Sequence, residues 1–233
     1  MNNQIYKNTF SYEVKPTGTR VPKKLVTPTR EKKNQKERSC GFCEKIPSYY
    51  MNIFYLHENP KICAEMHLDK HASKMCIEYA QLLSTAHRVL DGTEYYGKTK
   101  TGRKAKRYKH PSSTFEDTLY LASHINHPCG QWVRKSKENY NWLYELWIHL
   151  GNEFKKRYSG KEHSSLTQLK SFLKFTPKNM TNGILTEPPQ AMPDDVKVNG
   201  NSIQAYRNYY IHYKRSFATW KKTQIPEWYK EAM

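Results

Sequence analysis

A lysine and a glutamate four residues apart, Lys74 and Glu78, sit in one unbroken stretch with His71, Gln81 and Thr85. From 70 to 90 the chain reads KHASKMCIEYAQLLSTAHRVL, without Pro or Gly and rich in good helix formers. Ala72, Met75, Cys76, Tyr79, Leu82, Leu83, Ala86, Val89 and Leu90 recur at helical spacing and mark a buried face. At about 100° per residue, His71, Lys74, Glu78, Gln81 and Thr85 form a second arc roughly 120° from that face. A polar row bordering a core face can line a cleft, where an amine and a carboxylate act on one another. The same spacing also describes an ordinary i,i+4 pair on a solvated helix, worth roughly 0.2–0.5 kcal/mol.

Cys40 and Cys43 form a C-x2-C, and His67 and His71 follow at i,i+4. Thiolate and imidazole suit zinc, so Cys40 and Cys43 are candidate zinc ligands, with His67 and His71 the second pair. The gap between the pairs is longer than a zinc finger needs. A thioredoxin-like role for CGFC lacks its βαβ surroundings. Five Cys, an odd number, point to a reducing compartment and hence a cytoplasmic protein.

The charge is strongly positive: 39 Lys and Arg against 21 Asp and Glu in 233 residues, formally +18. Such a field favours polyanions and the release of their counterions. Aromatic residues, 18 Tyr among them, supply rings that pack a core or stack on bases. Mean hydropathy is −0.93, and no apolar run approaches the roughly 18 residues of a membrane span. Nucleic acid is therefore the expected partner, with no membrane and no small-molecule cofactor.

The elements that must position these groups read as mostly α. Residues 1–48 carry 11 Lys or Arg against 4 Glu, with Pro16, Pro22 and Pro28 and no sustained period, which reads as a flexible basic arm. MNIFYL, 51–56, is a short apolar run, strand-like or an extended entry to the core. Asn59-Pro60 opens a short helix through Met66, and the long helix follows. Turn signals at Asp91-Gly92 and Gly97 begin a basic insertion, 91–115, with seven Lys or Arg between Lys98 and Lys109. Arg103, Lys104, Lys106 and Arg107 belong to it, and it reads as a mobile loop suited to a phosphate backbone; GKTKTGRK lacks P-loop spacing. A short helix over 115–126 leads to His127-Pro128, which opens the next. Tyr140, Leu143, Leu146, Trp147, Leu150, Phe154 and Tyr158 stripe a helix over 137–158. A helix over about 163–174, a Pro-rich loop and a last helix from about 202 to 220 complete a compact domain, 51–233, of perhaps six helices and at most one short strand.

From Met51 to about Tyr229 the chain resembles the pyrimidine-dimer DNA glycosylases of the endonuclease V type, a phage and bacterial family. The resemblance rests on Met51 to Phe54, Lys70-His71, Lys74/Glu78/Gln81 with Leu82 and Leu83, and His127-Pro128 with Trp132. It implies an all-α fold that binds damaged or modified double-stranded DNA, everts a nucleotide and cleaves its glycosidic bond, with a possible AP-lyase step and no required cofactor. In that family an amine attacks deoxyribose C1′ and a glutamate stabilises the sugar cation. Glu78 is the matching carboxylate, and the amine is either that of Met51, were the chain to start there, or Lys74. Lys70, His71, Gln81, His127, Trp132, Arg134, Arg207 and the basic insertion are the expected DNA contacts. The α-amine that suits this chemistry, with a pKa of roughly 7.7 to 8, is displaced here because fifty residues precede Met51. The alternative is a non-enzymatic phage DNA-binding accessory or virion protein; if phage-encoded, either would act in the host cytoplasm.

Overall fold

The computed structural model describes residues 51–99 and 101–233, together with the backbone of two short strands nearer the N-terminus. Those strands, Tyr12–Val14 (β1) and Arg20–Pro22 (β2), pair antiparallel within a unit that ends at Ile46. The remainder of the arm and Cys40 and Cys43 lie outside the described residues.

The second unit, from Pro47 to Met233, is built on helices. Its elements are α1 (Pro60–Met66), α2 (Asp69–Asp91), β3 (Thr93–Lys98), β4 (Lys104–Lys109), α3 (Ser113–Thr118), α4 (Pro128–Lys135), α5 (Lys137–Arg157), α6 (Ser164–Leu173), α7 (Ser202–Tyr213) and α8 (Glu227–Lys230). The fold is mostly α, as the periodicity predicts, with eight α-helices among the described residues rather than six. Seven of the eight fall on segments read as helical and the four-residue α8 is the addition; the segment read as a helix over 115–126 winds only through 113–118.

Local chemistry sets the ends. Asn59 caps α1, accepting from the Lys61 and Ile62 N–H groups, and Pro60 fills a position needing no N–H. Ser136 caps α5, His163 caps α6 and Asn201 caps α7. Gly160, at φ 77°, turns the chain after α5.

α2 lies at the centre and packs on α4, α5 and α6. The Cys76 carbonyl on α2 accepts from Trp147 Nε1 at 2.8 Å and from Ser165 Oγ at 3.0 Å, tying three helices at one point. Gly151 lets α5 approach α6: a Cβ there would stand 2.0 Å from Leu166 Cδ2. At the other end Arg157 is buried among the Glu153 carboxylate, Asp69 and the carbonyls of Glu65 and His67.

Met51 to Leu56 threads this core as extended chain without a ladder. Its backbone is satisfied by side chains, as burial demands. Phe54 N–H donates to Tyr79 Oη, the Phe54 carbonyl accepts from Cys63 Sγ, and the Leu56 carbonyl accepts from Arg207.

The basic insertion is a hairpin, not a loop. β3 and β4 pair antiparallel with Tyr95 opposite Arg107, Tyr96 opposite Lys106 and Lys98 opposite Lys104. Strand alternation is hidden in the sequence because both faces are wet and carry Lys, Arg and Tyr. Arg88, fully buried near the end of α2, anchors the hairpin through the Tyr108 carbonyl and α3 through Glu116. No helix among the described residues is long and apolar enough to cross a membrane.

Candidate functional site

Lys74 and Glu78 meet on α2, with Lys74 Nζ 2.9 Å from Glu78 Oε1. The lysine is 56% exposed and the glutamate 18%, so the pair runs from solvent inward. Glu78 Oε2 is buried and has no hydrogen-bond partner. An acceptor in that condition is rare, because burial strips its water and nothing replaces it. Burial, with Glu78 contributing, pushes the Cys129 thiol up to about 12, while the Ile53 backbone and Tyr206 side chain also act on it. The Glu78 carboxylate thus acts on a buried group of α4, while Ile53 of the extended segment and Tyr206 of α7 meet that same thiol.

A second amine lies within the field of Lys74. Lys214 Nζ donates to Tyr209 Oη at 3.0 Å and lies 4.3 Å from the centre of that ring. Burial and the charge on Lys74 lower its pKa. Sequence reasoning missed this residue, since nothing in the spacing of positions 74 and 214 signals that they share a field. Lys70 lies on the same helix as Lys74, exposed, with Nζ 4.5 Å from the Phe217 ring centre.

The other expected contacts divide. His71 is buried, 4.1 Å from Phe54 in a stacked pair and 2.7 Å from the Tyr210 hydroxyl, so it belongs to the core rather than to a DNA face. Trp132 is also buried, its Nε1 donating to Thr186. Arg207 braces the Leu56 carbonyl, Gln81 Nε2 donates to the Leu121 carbonyl, and His127 Nδ1 caps α4 through the Cys129 N–H. Arg134 gives Nη2 to the Ile125 carbonyl and leaves Nη1 buried without a partner. It lines an open groove of about 580 Å³ with Gln131, Trp132, Lys135 and Glu187. Met51 is buried at the start of the extended segment.

Arg103, Lys104, Lys106 and Arg107 stand on the hairpin, where Lys104 lies 4.3 Å from the Tyr96 ring centre and Lys106 pairs with Glu94 at 2.8 Å. Tyr95 and Tyr96 are 45% and 63% exposed, so rings and cations share one wet ribbon.

The histidines proposed as the second zinc pair are occupied. His67 Nδ1 donates to the Cys63 carbonyl at 2.7 Å, and Nε2 accepts from Tyr79 Oη at 2.9 Å. That leaves His67 no lone pair for a metal, and burial holds its pKa down at about 4.

Neither a scan against protein-family models nor searches of the curated proteins and the solved structures finds a match to this chain.

Proposed function

We propose that the protein binds double-stranded DNA and excises a damaged or modified pyrimidine through an amine and a carboxylate, with AP-lyase activity as the second step. The observation that carries this reading is the inner oxygen of Glu78, buried and unpartnered while its twin is held by Lys74. A carboxylate in that position is suited to a positive charge that appears only during reaction, such as the sugar cation formed as the glycosidic bond stretches.

The nucleophile must be a neutral amine. Lys74 Nζ is held against Glu78 Oε1 at 2.9 Å, a contact that would have to break before this amine could attack. Lys214 has its pKa lowered by burial and by Lys74, so it is the better base-form amine. In this mechanism the Lys214 nitrogen lone pair attacks C1′, the C1′–N bond breaks, and the base leaves with that electron pair and takes a proton. The amine loses a proton, the sugar ring opens and an imine forms. Glu78 then accepts the C2′ proton, and the 3′ phosphate departs. The hairpin cations and Lys70 supply phosphate contacts, which offset the few kcal/mol that eversion requires.

Borohydride trapping on a duplex carrying an abasic site or a pyrimidine lesion tests this. The parent chain traps a covalent adduct. Lys214→Arg loses the adduct and Glu78→Gln loses excision, each with DNA affinity within about threefold of the parent. Absence of trapping by the parent, with excision absent too, rejects the enzyme reading.

The second reading, a non-enzymatic DNA-binding protein, is favoured by the hairpin. Its exposed cations and tyrosines need no catalytic centre to hold nucleic acid. It predicts salt-sensitive binding that Glu78→Gln leaves alone.

A further inference from the structure

A second cluster of chemistry-bearing groups stands at the far end of α2, thirteen residues from Glu78 and about 20 Å along the helix. His87 and Asp91 come from the last turns of α2, and His110 follows β4. One ligand atom from each lies within 4.8 Å of the others. His110 is 8% exposed, and its Nε2 is buried with no hydrogen-bond partner. That nitrogen faces Asp91 Oδ2 at 3.9 Å, too far for a hydrogen bond. Two ligands of a tetrahedral ion with bonds near 2.0–2.1 Å stand roughly 3.4 Å apart, so the Asp91–His110 pair would close by about 0.5 Å and a pair at the 4.8 Å limit by about 1.4 Å to seat one.

The surroundings hold each group in place. Asp91 Oδ1 and Oδ2 accept from the Asn179 and Lys178 N–H groups. Tyr140 Oη gives its proton to the Leu173 carbonyl at 3.0 Å, so it accepts from His87 Nε2 at 2.9 Å; the lone pair is then on Nδ1, and a metal there would displace the ring's interaction with the Phe175 backbone. This is an outer partner of the kind that orients metal-bound imidazole. The His110 ring stacks on Phe115, centroids 4.9 Å apart. The groups open on a cavity of about 480 Å³ that Phe115, Phe175 and Lys178 also line.

We propose that His87, Asp91 and His110 bind a divalent transition metal of the zinc class, with a fourth position open to that cavity. Imidazole and carboxylate donors select this class over calcium or magnesium. Three protein ligands and an open position are the pattern of a site that binds water or an exchangeable anionic ligand. Binding moves one proton within the His110 ring. Ser112 N–H donates to Nδ1 at 3.1 Å in the metal-free chain, which places the ring proton on Nε2. With metal on Nε2 the proton sits on Nδ1, and the Ser112 N–H turns to water, which its exposed position allows. The site owes nothing to the glycosylase reading and stands or falls apart from it.

The test is calorimetric titration of zinc chloride into the full chain carrying Cys40→Ser and Cys43→Ser, which removes thiolates that bind zinc themselves. One zinc per chain is expected, with affinity lowered at least about 100-fold in Asp91→Asn and in His110→Gln, and unchanged in His124→Gln. X-ray absorption of the zinc-loaded Cys40→Ser, Cys43→Ser chain reads two imidazoles and a carboxylate oxygen, with no sulfur from the three buried cysteines that remain. No zinc binding by that chain, or binding with a different imidazole count, overturns the proposal, as does affinity that both folded variants retain.

Discussion

Glu78 is held at one oxygen and abandoned at the other. Its pairing with Lys74 is a half-solvated i,i+4 contact worth roughly 0.3–0.5 kcal/mol, while a buried acceptor without a donor costs about 1–3 kcal/mol. The balance is unfavourable to folding, so Glu78→Gln, which replaces the charge with a neutral amide, should raise stability in urea by about 0.5–1 kcal/mol. A fall of that size instead would mean that the carboxylate has a structural partner. His67 makes the opposite kind of prediction. Its chain of bonds, from Phe54 N–H through Tyr79 Oη and the ring to the Cys63 carbonyl, requires a neutral imidazole. Burial lowers its pKa to about 4 in the folded chain, against 6.5 for a free imidazole side chain. Above pH 6.5 both states are neutral there and the residue adds no pH dependence. As pH falls from 6.5 towards 4 the unfolded chain takes up a proton that the folded chain refuses, and stability falls by about 3 kcal/mol in all. His67→Gln, followed by urea melts at pH 7 and pH 4.5, should flatten that slope.

Among the elements, α2 was the most legible in the sequence and the hairpin the least. The 3.6-residue period of α2 survives because one face is dry from Ala72 to Ala86 and the other is not. β3 and β4 bury only Tyr108, so the two-residue period that marks a strand never forms. What holds the hairpin is a distant side chain: Arg88 donates to the carbonyls of Tyr108, Glu116, Leu119 and Tyr120 and to the Glu116 carboxylate. No spacing rule announces that an arginine on a helix's buried side is a fivefold donor rather than a surface charge. Arg88→Met takes the guanidinium from those carbonyls and leaves the Glu116 carboxylate with only the His110 N–H, and should cost about 3–5 kcal/mol, with hydrogen exchange quickening first across 93–110. Of the candidate site, Glu78 and Lys74 could be found from helical spacing, whereas Lys214 could not. Its place beside Lys74 comes from how α7 ends against α2, a tertiary fact. The expected contacts at His71, Trp132 and Arg207 show the converse, since polar tips on buried bodies look the same in sequence whether they face DNA or brace a carbonyl.

At the scale of the whole molecule the charge is divided between the two units. The first 46 residues hold 11 Lys or Arg against 4 Glu, so +7 of the formal +18 lies there and +11 in the rest. The two units divide at Ile46, and among the described residues the hydrophobic core runs from Met51 onward. Stability should therefore reside in the second unit, while affinity for a polyanion draws on both. A chain beginning at Pro47 should melt within about 2 °C of the parent and bind duplex DNA more weakly. The loss should shrink as salt rises, because each phosphate contact removed takes about 0.9 from the slope of log K against log salt. Changing Lys104, Lys106 and Arg107 to Ser should lower that slope further by up to about 2.7 on the same rule, with the melting temperature kept, because these side chains are outside the core. A slope unmoved by the hairpin substitutions but abolished by the truncation would assign all DNA contact to the arm. The reaction proposed at Glu78 would then need a substrate delivered by that arm alone, which the Pro47 chain, assayed at high concentration on a lesion duplex, would reveal as activity lost in step with affinity.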